Sequence, residues 1–161
     1  MAIPVTIRLQ AEDFDASLEA RKLTEGRIDI GAVVTFAGVC RGDEGDHAIA
    51  ALTLEHYPGM AEAEIERHAA EAGERWPLIG LTVIHRFGRL APGEDIMMVA
   101  TASSHREAAF AAAEFLMDYL KTRAPFWKQV EAAGEKTWVE AKAADDAAAE
   151  RWAPPGRDAA E

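Results

Sequence analysis

The chain has 161 residues, 49% of them hydrophobic and 28% charged, and a formal net charge of -11 at pH 7. That length buries a real core within one domain, and the acidic balance argues against non-specific binding to nucleic acid or anionic membranes. The longest apolar run, Ile30 to Cys40, is too short to span a bilayer.

Read in chain order, Val5 to Leu9 is a short strand and Asp13 to Leu23 a short helix, capped at Asp13 or Asp15. Ile28 to Val39 is nearly continuous in apolar residues and predicts a buried strand. Arg41 to His47 is a polar, Gly-containing loop, and Ala48 to Tyr57 is a strand. Pro58-Gly59 turns the chain into a helix over Met60 to Trp76, stopped by Pro77 and Gly80. Leu81 to Phe87 and Asp95 to Ala102 are strands whose spacing reads as a hairpin. A helix over 105–123 follows, ended by Pro125; Lys136 to Ala141 is the last strand, and an Ala-rich helix runs to Trp152. Strands and helices mix without regular βαβ alternation, so the fold class is α+β. The domain is expected to span 1–152, with 153–161 a disordered tail.

Several chemistries find no support. There is no GxGxxG or P-loop pattern, no HExxH and no Cys-rich set. Glu64 and His68, four apart on one helix, read as a surface contact rather than a metal pair. No metal or cofactor is expected. His85 and Arg86 fall on opposite faces of a strand. The single cysteine excludes an intrachain disulfide framework. Cys40 reads as a small buried hydrophobe. The first residues lack a basic stretch followed by an apolar core, so no signal peptide is expected and the setting is a reducing cytoplasm.

The segment Met117 to Lys128 packs three cations and three aromatics into twelve residues of this acidic chain. Phe110, Ala113, Met117 and Leu120 form an apolar stripe on the helix, and Lys121 lies within about 20° of Phe110 on the wheel. Lys121 is therefore expected on the buried side. It is either a snorkelling lysine paired with Asp118 or a partly desolvated lysine fit for nucleophilic, acid–base or oxyanion work. Lys128 follows Pro125-Phe126-Trp127 and is expected near the same helix end. At the other end, Ser104-His105-Arg106-Glu107 fits a capping box with Ser104 as N-cap. His105 and Arg106 then sit in the first turn, where they serve an anion site or pair with the acidic surface. Ser104 and Lys121 are roughly 25 Å apart along the axis. One small ligand cannot touch both ends, so a shared site requires two subunits.

Leu54 to Met60, Val83 to Arg86, Ser104 to Arg106 and Met117 to Lys128, taken in order, resemble the family of large, catalytic subunits of molybdopterin synthase. Phe36 to Arg41 is similar to that family's strand-to-loop arginine motif, and Trp138 to Ala141 to its C-terminal strand. The likeness spans about residues 3–152. It implies an α/β-hammerhead fold and a central homodimer within a heterotetramer. The partner it implies is a small ubiquitin-like sulfur carrier whose C-terminal Gly-Gly thiocarboxylate sulfurates cyclic pyranopterin monophosphate to the dithiolene of molybdopterin. By motif position Lys121 and Lys128 are the implied catalytic residues. Arg41, His105, Arg106, Phe36, Met117 and Lys142 are the implied substrate-binding ones, with the His-Arg pair coming from the partner subunit. The chain departs from the family pattern at Gln129-Val130, where a basic and an acidic residue are usual. It departs again at Lys142, where arginine is common, and at Cys40, usually aliphatic. Two other functions compete with this one. A non-catalytic module docking a ubiquitin-like carrier needs no desolvated lysine, and a carrier-independent phosphate-ester enzyme lacks a nucleophile or metal set.

Overall fold

The computed structural model describes residues 3–139 and 143–153. The first sheet holds β1 (Val5–Gln10), β2 (Ala32–Val39), β5 (Leu78–Arg86) and β7 (Asp95–Ser103) in the order β1-β5-β7-β2. β1 runs parallel to β5, and the other pairs are antiparallel. The second sheet runs β3 (Asp43–Glu44), β4 (His47–His56), β8 (Phe126–Ala132), β9 (Glu135–Val139). The short β6 (Gly88–Leu90) also pairs with β4, so the chain crosses between sheets inside the hairpin that joins β5 to β7.

Strand alternation assigns each face of the first sheet. Ile84, Met98 and Ala100 pack against Phe14, Ala16 and Leu23, at and around α1 (Ala16–Thr24). Leu81, Val83 and Val99 pack on the opposite side with Ile65, Ala69 and Ala72 of α2 (Met60–Arg75) and Ala112, Phe115 and Leu116 of α3 (Arg106–Thr122). The last helix, α4 (Ala143–Glu150), lies along α3. A third cluster, Cys40, Leu52, Leu54, Leu90 and Val130, fills the inner side of the second sheet. This is the α+β architecture expected.

Three expectations are corrected. β2 begins at Ala32 rather than Ile28, and it is an edge strand whose residues are half-buried or exposed. Ile28 is fully exposed in a loop where Arg27 and Asp29 pair at 2.7 Å. Ser104 is not the N-cap of α3: His105 holds that position without a side-chain cap bond, and the Ser104 hydroxyl instead donates to the Asp29 carbonyl at 3.3 Å. Residues 126–132 form strand β8, which the sequence reading missed. The β8–β9 hairpin turns at Ala133 and Gly134, both at positive φ, the conformation of a tight two-residue hairpin turn. The α1 cap resolves to Asp15, whose carboxylate accepts from the Leu18 amide at 3.0 Å. The expected strand to Ala141 and the tail beyond Ala153 lie partly or wholly outside the described residues.

Gly31 is fixed by a close approach. Its amide donates to the Ser103 carbonyl at 3.0 Å, and a Cβ there would meet the Ser104 carbonyl oxygen at 2.2 Å. Gly31→Ala is expected to cost about 1–3 kcal/mol as the loop is pushed off the start of α3. Thermal unfolding would read this as a fall of about 2–4 °C per kcal/mol.

Candidate active site

α3 and β8 are joined by only three residues. Arg123 and Ala124 both donate to the Tyr119 carbonyl, at 2.8 and 3.2 Å, and the Phe126 amide donates to Ala124 at 2.8 Å. This tight turn leads from the last turn of α3, which carries Lys121, directly into β8, which carries Lys128. Along β8, Phe126, Lys128 and Val130 share the inward face, while Trp127 and Gln129 face outward. Lys128 is therefore a strand residue turned toward the second-sheet core, half-buried, and not a residue of the helix end.

Lys121 departs from the expectation in a second way. The core face of α3 is its small-residue side, Ala108, Ala109 and Ala112, continued by Phe115, Leu116 and Tyr119. Alanines let the helix lie against the sheet, where the Thr101 hydroxyl donates to the Ala109 carbonyl at 2.6 Å. Of the stripe expected to be buried, Ala113 is in the core and Met117 and Leu120 pack half-buried against it, but its ends are not covered: Phe110 is 61% exposed and Lys121 is exposed. Nor does Asp118 pair with Lys121. Arg151 binds both Asp118 and Glu114, and the Trp152 indole donates to Asp118 at 2.7 Å. Among the described residues Lys121 has no ion pair, so its ammonium is available to an incoming anion.

Around these lysines stand Arg41 and two histidines. Cys40 is buried, and burial pushes its thiol above the usual range, against the nearby charges of Lys128 and Arg41. This puts Arg41 in the neighbourhood of Lys128. His85 stacks on Phe126 with centroids 4.0 Å apart and planes 13° apart. Its Nδ1 lies 2.8 Å from the Arg86 carbonyl, which can only accept, so Nδ1 carries the ring proton. Burial lowers its pKa to about 4, with Lys121 and His56 adding to the depression and the Arg86 carbonyl opposing it. Arg86 is also buried, on the other face as expected, and its guanidinium donates to the carbonyls of Ala11 and Asp95. That role is structural.

His85 gives a pH prediction. Its folded pKa lies below the ordinary histidine value of 6.5, so the unfolded chain binds more protons between about pH 6.5 and 4. Its contribution is complete above that window and is lost as pH falls through it, on the order of 3 kcal/mol in all. Urea unfolding at several pH values should show a smaller acid loss in His85→Phe than in the parent. Equal pH slopes for the two proteins would contradict it.

The remaining sites fall elsewhere. His105 and Arg106 are exposed at the far end of α3, so the chain by itself separates them from the lysines. Phe36 is 42% exposed on β2, and Val34, two residues before it on the same strand face, packs on the main core next to α3. Lys142 lies outside the described residues. His68 Nδ1 donates to the Glu64 carbonyl at 2.9 Å and its ring stacks on Tyr119, so the Glu64–His68 pair is a packing contact. Sequence reasoning missed His85 and Phe126 as site neighbours. The alternation of Phe126, Lys128 and Val130 before Ala133-Gly134 was the available signal.

These features define an α+β protein whose candidate cationic residues, Lys121 and Lys128, lie on a helix end and on the strand that follows it. A sequence model of the MoaE protein family matches residues 9–123. A molybdopterin synthase catalytic subunit from Mesorhizobium japonicum is 62% identical over 149 residues, covering 91% of this chain and 92% of that protein. Among solved structures, the molybdopterin biosynthesis MoaE protein from Burkholderia ambifaria is 50% identical with a TM-score of 0.78, covering 92% of this chain and 97% of that one. A molybdopterin synthase chain from Staphylococcus aureus is 26% identical with a TM-score of 0.73, covering 85% and 96%. The chain belongs to the MoaE family of molybdopterin synthase catalytic subunits. No described helix is long and apolar enough to cross a membrane.

Proposed function

We propose that this chain is the sulfur-inserting, catalytic subunit of a molybdopterin synthase. A small ubiquitin-like carrier brings sulfur as a C-terminal Gly-Gly thiocarboxylate, and cyclic pyranopterin monophosphate accepts it to form the dithiolene. The observation that carries this reading is the 62% identity to a named catalytic subunit, in a chain whose two candidate lysines flank the three-residue turn between α3 and β8. Both reactants are anions, so a site with several cations on an otherwise acidic protein suits them.

The chemistry assigns roles by position. In one transfer the carrier's sulfur attacks a pterin side-chain carbon as the carbon–oxygen bond to the cyclic phosphate breaks and the oxygen leaves on phosphorus. In the other the displaced oxygen leaves as water, and each attack leaves the carrier attached as a thioester. Water then adds to the acyl carbon, the acyl C–S bond breaks, and the carrier departs as a carboxylate. Lys121 polarises that carbonyl and stabilises its oxyanion. Lys128 and Arg41 hold the phosphate and the charge that develops when its ring opens. Met117, one turn before Lys121, lines the approach, and Phe36 and Lys142 complete the substrate contacts.

His105 and Arg106 join the site from a second copy. Arg106 and Lys121 stand fifteen residues apart on one helix, about 22 Å. Phe36, Val39 and Phe110 give β2 and α3 exposed apolar side chains on which a second copy can pack. The cytoplasm is the proposed location, a reducing setting that suits a chain whose single cysteine is buried and free. The test mixes purified chain, thiocarboxylated carrier and cyclic substrate, with the carrier omitted in parallel. Dithiolene product that requires the carrier supports the reading. A stable carrier complex without turnover replaces it with a docking module, and product without carrier replaces it with an autonomous phosphate-ester enzyme.

A further inference from the structure

Resting on that reading, we propose that His85 is a positioning residue for Lys121 and Lys128, acting through its ring stack on Phe126. Phe126 is the pivot of the site: Lys121 lies five residues before it and Lys128 two residues after it, about 7 Å along the strand. A rotation or shift of Phe126 therefore moves both ammonium groups relative to each other. What holds Phe126 is a clamp made from both sheets. His85 belongs to the interior of the first sheet, with its backbone registered to Leu9 on one side and Met97 on the other. Its ring is fixed by the Nδ1–H bond to Arg86 and lies nearly parallel to Phe126. From the second sheet, His56 is the strand partner of Phe126, with ring centroids 6.2 Å apart, and is itself backed by Phe87 at 4.5 Å. The stack thus ties the distance between the lysines to the distance between the sheets.

The identity of the residue fits the task. A cation buried beside Lys121 would repel the ammonium it is meant to hold, whereas a neutral aromatic ring gives a flat, rigid surface without competing charge. A buried ring has few rotamers open to it, so the clamp loses little entropy when substrate binds.

The test uses the assembled complex with carrier and compares His85→Ala, His85→Phe and Phe126→Leu. Loss of the clamp in His85→Ala or Phe126→Leu is expected to lower kcat about 100-fold, the scale of an ångström-sized misplacement remote from the reacting atoms. Carrier affinity stays near the parental value, and the rise in KM for the pterin that follows from a misplaced Lys128 stays well below the loss in kcat. His85→Phe keeps the stack and restores kcat to near the parental value. The double variant His85→Ala/Phe126→Leu loses no more than either single one, since both remove the same contact. If His85→Ala does not fold, Phe126→Leu and His85→Phe decide the matter. Parental kcat in Phe126→Leu, His85→Phe as inactive as His85→Ala, additive losses, or a loss confined to KM or carrier affinity would each overturn the proposal. An inactive parental complex would instead sink the functional reading itself, and would be seen before any variant is made.

Discussion

Lys121→Ala is expected to abolish product formation while the carrier remains bound. The loss should be about 10²- to 10⁴-fold in kcat, the range for removing one positioned acid–base or electrostatic group. The structure separates this from unfolding. Lys121 is exposed at the end of α3, and the acids that might have paired with it are engaged by Arg151 and Trp152. Substituting an exposed residue outside any network usually changes stability by no more than about 0.5 kcal/mol. Thermal unfolding of the variant should therefore match the parent, and so should its carrier affinity. Lys121→Arg keeps the charge but carries it on a longer, planar group, so partial activity is expected there. Single-turnover rates with titrated carrier provide the measurement. Parental turnover in Lys121→Ala would remove this lysine from the mechanism.

The second large effect concerns two variants that are each inactive. Arg106→Ala and Lys121→Ala lie at opposite ends of the same helix, so a site that needs both residues draws them from different chains. When the two variants are mixed and allowed to exchange subunits, mixed dimers form with one site lacking both groups and one site intact. Random exchange makes half of the dimers mixed, so activity should recover to about one quarter of the parental value. The same mixture with exchange blocked should stay inactive. Failure to recover, in a mixture shown by mass spectrometry to contain mixed dimers, would place each site within one chain. Arg106 would then serve the surface rather than the reaction.

Much of this site could be read from the residues, and the parts that could not have identifiable physical causes. The helices over 60–76 and 105–123 were legible from their spacing because alanine, glutamate and leucine favour them and Pro77 and Pro125 end them. The exposure of Lys121 was misjudged because a helical wheel weights large apolar residues. The fold instead buries the alanine side of α3, which allows close approach to the sheet, and leaves Phe110 at the surface. β2 was judged buried from its apolar run, yet it is an edge strand, and apolar content on an edge says only that something else can cover it. β8 was hidden by its neighbours: Pro125 and the aromatics after it looked like the debris of a helix end. The capping serine failed because Ser104 belongs to a loop contact with Asp29, which is 75 residues away in sequence. The long-range partners of Asp118 and Phe126 are likewise set by topology, and no local pattern encodes them.

The most direct measurement follows the sulfur. Carrier bearing an isotopically labelled thiocarboxylate is mixed with the chain and unlabelled cyclic substrate, and the product is weighed by mass spectrometry. Carrier-dependent sulfur insertion puts labelled sulfur at both dithiolene positions, with two carriers released as carboxylates for each product and no label incorporated when Lys121 is alanine. Unlabelled product, or product formed at the parental rate without carrier, would contradict it.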